Sequence, residues 1–82
     1  MYDLVSFVSR GRIRTEILKL LDKPMTPTEL SSKVKTHRPT ISRSIQDLEN
    51  KGLVECITPN ERMGRYYRIT ALGKRILEKM NK

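Results

Sequence analysis

Apolar residues recur at helical spacing along most of the chain and alternate in one stretch. Between Thr36 and Leu53, Ile41, Ile45 and Leu48 repeat at steps of four and three. That spacing draws one apolar stripe down a helix. With about 100° of rotation per residue, Pro39, Arg43, Gln46 and Asn50 lie opposite the stripe, with Ser42 on one flank and Thr40 and Asp47 on the other. From Thr36 through Gln46 there are two arginines and no carboxylate. The helix therefore buries one face and offers a polar, cationic one. Gly52 after Lys51 predicts its stop.

Upstream, Tyr2, Leu4, Val5, Phe7 and Val8 predict a short first helix, with Asp3 at its positive end. Ser9 is expected to cap a second helix whose buried stripe is Ile13, Ile17, Leu18 and Leu21. Arg10, Arg12 and Arg14 fall in its first turns, an unfavourable end for cations, and either touch phosphates or are solvated. Pro24 is expected to end this helix. Thr26-Pro27-Thr28-Glu29 is a capping box with proline in the first turn, and Met25 and Leu30 stand at staple positions. A short helix follows with Leu30 and Val34 inward, then a tight turn at Lys35-Thr36, and the cationic helix spans about residues 37–50. Two short helices joined by a tight turn, the second presenting a cationic face, make a helix-turn-helix.

Downstream, residues 53–58 read as a strand, 59–64 (including Met63) as a turn and 66–69 as the returning strand. In that hairpin Tyr67 and Ile69 face inward while Tyr66 and Arg68 face outward. The two tyrosines therefore cannot both stack on one surface. Thr70 caps a last helix with Leu72, Ile76, Leu77 and Met80 on its apolar side, and Gly73 in its first turn predicts a close backbone approach. The expected fold class is α+β, mostly α, in a single domain over residues 1–82.

Composition narrows the partner. The 82 residues carry 17 basic and 9 acidic side chains, a formal charge of +8. Nucleic acid is the first expected partner and an anionic membrane surface the second. The apolar fraction of 37% predicts a small core helped by tight packing or a partner. The single cysteine, Cys56, excludes an internal disulfide and a paired-cysteine metal site, so no metal or other cofactor is expected. Neither a secretory signal nor a membrane-length apolar run is visible, and the chain reads as cytoplasmic. Asp22 and Glu29 have no complementary catalytic group, and no phosphate loop or nucleophile motif is present, so no enzyme activity is expected. His37, near a helix start, is assigned no proton-transfer role.

Pro39-Thr40-Ile41-Ser42-Arg43, followed by Leu48-Glu49-Asn50-Lys51-Gly52-Leu53-Val54, resembles the recognition helix and strand start of winged helix-turn-helix regulators. Tyr67-Arg68-Ile69-Thr70-Ala71-Leu72-Gly73 resembles the end of their wing and the start of the next helix. The similar families are ArsR-like and MarR-like prokaryotic regulators and their small archaeal relatives, over about Ser9 to Met80. The resemblance implies a three-helix core, a β-hairpin wing and a homodimer that regulates transcription by binding double-stranded DNA. Residues matching Arg38, Pro39, Thr40, Ser42, Arg43 and Gln46 would face the major groove. Arg62 and Arg65, on the wing at about residues 58–66, would lie near the minor groove or the flanking phosphates. Metal-sensing ArsR-like proteins carry ligand clusters, whereas Cys56 and His37 fall on different elements here. MarR-like proteins use longer terminal helices for both dimerisation and an effector pocket, and the short ones here argue against such a pocket.

Within this reading Lys33, Lys35 and Thr36 surround the turn and are expected to touch phosphates. Arg43 is the foremost base reader, suited to guanine O6 and N7, with Gln46 suited to adenine and Thr40 and Pro39 to a thymine methyl. Leu4, Val5, Phe7, Val8, Leu72, Ile76, Leu77 and Met80, in segments 1–9 and 71–82, exceed what a three-helix core needs and are expected to form a two-fold dimer interface. Packing of the two ends on each other within one monomer is the competing arrangement. The alternative functions are a protein-interaction module of a transcription or replication assembly and a non-specific DNA-coating protein.

Overall fold

The computed structural model describes residues 2–62 and 64–80, with the Tyr2 side chain left out. Met1, Asn81 and Lys82 of the two terminal segments, Met63 of the turn, and the apolar contribution of Tyr2 lie outside the described residues. Five helices and one hairpin follow in order: α1 (Tyr2–Ser9), α2 (Arg12–Leu20), α3 (Pro27–Val34), α4 (Arg38–Asn50), β1 (Val54–Cys56), β2 (Tyr67–Ile69) and α5 (Ala71–Met80). The α+β, mostly helical expectation holds. Helix α2 is central: α1, α3, α4 and α5 all pack against it, and β1 closes against α4. The expected stripes meet there, with Ile17, Leu18, Leu21, Leu30, Ile41, Ile45, Leu48, Leu53 and Val54 all buried.

Local chemistry sets the boundaries of the helix-turn-helix. The Thr26 hydroxyl accepts the Glu29 N–H at 3.2 Å, and Glu29 Oε1 accepts the Thr26 N–H at 3.1 Å. Pro27 occupies the first turn. Thr26→Ala removes one side of this reciprocal cap, so about 1 kcal/mol of stability should be lost. The unfolding midpoint should fall by roughly 4–8 °C in a thermal melt; an unchanged midpoint would show that the cap contributes nothing. Helix α3 ends at Lys35, whose φ of 59° and ψ of 47° are left-handed. Both the Lys35 and Thr36 N–H groups point to the Ser31 carbonyl. Helix α4 ends as its sequence predicts. Gly52 takes φ 75°, its N–H bonds Glu49 O, and the Leu53 N–H reaches back to Leu48 O at 2.9 Å.

The hairpin pairs Val54 with Ile69, Glu55 with Arg68 and Cys56 with Tyr67. Ladder bonds continue in the same register at Leu53–Thr70 and Ile57–Tyr66. The strands proper are three residues each, shorter than expected. Beyond Ile57 the partner of the Tyr66 N–H is the Thr58 hydroxyl rather than backbone. Ile69 is buried and Tyr67 half-buried, with Tyr66 and Arg68 exposed, so the expected facing is correct. Thr70 caps α5 by accepting the Gly73 N–H and donates its own hydroxyl to Gly52 O.

Several expectations need correction. Ser9 does not cap α2: it ends α1 and bonds back to Ser6 O, and Gly11 is the extended residue before α2, with no side-chain cap. Helix α2 stops at Leu20, short of Pro24. The chain leaves the helix early to join the sheet, where Leu21 O accepts the Ile69 N–H and Met25 exchanges two backbone bonds with Tyr67. Arg14 is not a free cation, as described below. Val8 and Ile76, counted as interface residues, are wholly buried in the monomer's own core. Their burial follows from α1 packing directly on α5.

Candidate nucleic-acid interface

The cationic surface begins at the turn. Ser31 donates its hydroxyl to Thr36 O at 2.6 Å, which closes the turn from inside. This leaves Lys33 and Lys35 exposed and Thr36 half-buried at its edge. The sequence reading missed Ser31, because nothing in linear spacing ties a helical serine to a carbonyl five residues on. Helix α4 starts immediately beyond, with His37 at its N-cap but making no side-chain cap bond.

On α4, Arg38, Pro39, Thr40, Ser42, Arg43 and Gln46 are all exposed, while Ile41, Ile45 and Leu48 are buried. The amphipathic division is thus as the stripe predicts. The ion pairs among the described residues are Arg14–Asp47 at 3.6 Å and Arg68–Glu55 at 3.8 Å. Neither involves Lys33, Lys35, Arg38 or Arg43. Those four cations have no ion-pair partner among the described residues and lie on consecutive elements.

Arg62 and Arg65 are carried separately, on the loop between β1 and β2, and both are exposed. Arg65 donates from Nε to Glu61 O at 2.6 Å. One of its five N–H donors is therefore spent on shaping the loop, and the side chain also hydrogen-bonds the Tyr67 phenol.

The terminal helices carry a second surface. Leu4, Val5, Phe7, Leu72, Leu77 and Met80 are half-buried against the core. With Val8 and Ile76 inside, these six of the expected interface residues keep some exposure.

Burial, with Cys56 adding to it, pushes the Tyr67 phenol above its ordinary value, so it stays neutral near pH 7. Among the described residues no group of three or more His, Cys, Asp or Glu side chains is placed to hold a metal. Also among them, no helix is long and apolar enough to cross a membrane.

Solved structures share this architecture. The transcriptional regulator BldR from Sulfolobus solfataricus superposes with a TM-score of 0.77 at 26% identity, over 87% of this chain and 52% of BldR. A MarR family transcription regulator, SP03579, also gives 0.77, at 23% identity over 98% of this chain and 60% of its own. The S. aureus MepR–DNA complex gives 0.76, at 17% identity over 87% of this chain and 61% of MepR. The chain thus spans only half to three fifths of these proteins. The fold is the winged helix of these solved structures. No curated protein matches the sequence. Across residues 2–82 the sequence matches one family model, and the chain belongs to that family, the HVO_A0261 N-terminal domain.

Proposed function

We propose that this chain is the double-stranded DNA-binding module of a transcriptional regulator, entering the major groove with α4 and touching the minor groove or backbone with the wing. The carrying observation is the outer face of α4, where Arg38 and Arg43 stand unpaired among exposed Pro39, Thr40, Ser42 and Gln46. Such a face combines phosphate-neutralising charge with groups that match base edges. Lys33, Lys35 and the turn at Thr36 set the helix on the backbone, and Arg62 and Arg65 extend the footprint. BldR, similar in fold, is a transcriptional regulator, and MepR, of the same fold, is seen on DNA. Catalysis has no part in this reading. The protein works in the cytoplasm as a homodimer, through the half-buried faces of α1 and α5.

Selection from a random duplex pool tests the proposal directly. The expected outcome is enrichment of a two-fold-related sequence. Its affinity should fall with salt at a log–log slope of roughly −0.9 for each phosphate contacted. Sedimentation at micromolar concentration should give a dimer. Equal affinity for selected and random duplexes would instead identify a coating protein, and a clean monomer would remove the two-fold readout.

A further inference from the structure

Arg43 and Asp47 stand four residues apart on α4. Side chains at that spacing are neighbours on the helix surface, and opposite charges there attract. The attraction strengthens as water is excluded from an interface. A carboxylate in this position is a standing competitor for the arginine expected to read a base. In the structure, however, Asp47 Oδ2 faces Arg14 Nη2 at 3.6 Å, and Arg43 has no ion-pair partner among the described residues.

Arg14 reaches Asp47 from a fixed position. Its Nη1 donates to Phe7 O at 2.7 Å, and its guanidinium carbon lies 4.0 Å from the Phe7 ring centre. The side chain folds back past Gly11, where an added Cβ would come within 3.0 Å of Arg14 Cδ. An arginine held by a carbonyl and a ring has little freedom left to lose when it binds a carboxylate. Lys51 is also four residues from Asp47, but its ammonium sits over the same Phe7 ring at 5.5 Å.

We propose that Arg14 is a positioning residue: it holds Asp47 away from Arg43 and so keeps the Arg43 guanidinium free for a base. The proposal rests on the DNA-binding reading above. It also gives α1 a part in readout without touching DNA, because Phe7 supplies the seat on which Arg14 rests.

The test uses the full chain as wild type, Arg14→Gln, Asp47→Asn and the double variant. Without DNA, nitrogen NMR of the Arg43 side chain reports its pairing. In the wild-type background Asp47→Asn should leave the Arg43 Nε–H signal in place, whereas in the Arg14→Gln background it should shift it. With DNA, binding is compared between a duplex recovered from the random pool and a scrambled duplex of equal length. Arg14→Gln should reduce the preference for the recovered duplex by about 1.4- to 2.3-fold, the scale of such helix-surface pairs, and adding Asp47→Asn should restore it. Loss on both duplexes alike with no restoration would make Arg14 a support for α1 only and overturn the proposal. An Arg43 signal indifferent to Asp47 in both backgrounds would overturn it too, as when Lys51 takes the carboxylate. If the wild type binds neither duplex, the DNA-binding reading fails, and the NMR comparison still decides the Arg14–Asp47–Arg43 arrangement by itself.

Discussion

Replacing Gly73 with alanine is expected to destabilise the fold by about 3 kcal/mol, the upper range for overpacking a tight contact. The unfolding midpoint should then fall by roughly 12–24 °C for a domain of this size. Gly73 lies in the first turn of α5 and is buried. An added Cβ would overlap the Leu53 carbonyl oxygen and lie 2.6 Å from Ile69 Cγ1. The oxygen cannot step aside cheaply, because it belongs to the backbone and accepts the Thr70 N–H at 3.0 Å. The helix must move instead, and it carries Ile76 out of the core as it goes. Thermal melting followed by circular dichroism measures the effect. A midpoint close to that of the wild type would show that α5 shifts freely against the hairpin.

Arg43→Ala is expected to relax selectivity at one base pair. A guanidinium paired with a guanine edge carries about 1–3 kcal/mol of discrimination, or roughly 5- to 150-fold. The same change should alter binding to unrelated sequences far less. Lys35→Ala should behave oppositely, weakening every duplex alike and reducing the salt slope by about one. Fluorescence anisotropy over a panel of singly substituted duplexes separates the two. If Arg43→Ala left the preference profile intact, Arg43 would be a backbone contact and another α4 side chain would carry the readout.

The helix-turn-helix was legible because its punctuation is local. Thr26, Pro27 and Glu29 act within one turn of each other, and Gly52 acts on the last turn of α4. The Ile41, Ile45 and Leu48 stripe fixes the exposed face by geometry alone. The facing of the hairpin's second strand followed from the alternation of Tyr67 and Ile69. Long-range contacts were not legible. Leu21, at the end of α2, gives its carbonyl to the Ile69 N–H, far along the chain. The Met25–Tyr67 bridge, which joins the start of α3 to the wing, has no sequence signature. Arg10, Arg12 and Arg14 look equivalent in sequence, yet Arg14 alone of the three meets Phe7 and Asp47. A short apolar helix likewise does not declare its partner. Val8 and Ile76 face their own core because α1 and α5 pack together in the monomer.

Lys35 sets folding and grip against each other. It is the only non-glycine residue at positive φ among those described, at 59°. That conformation disfavours any side chain by roughly 1 kcal/mol relative to glycine. Glycine would relax the backbone there but would delete an exposed charge beside α4. Alanine keeps the same backbone tension and removes only the charge. The turn is therefore a place where the most stable sequence and the most adhesive one differ. Selection for stability alone would drive the chain toward glycine at this position and away from the charge that the proposed DNA contact uses.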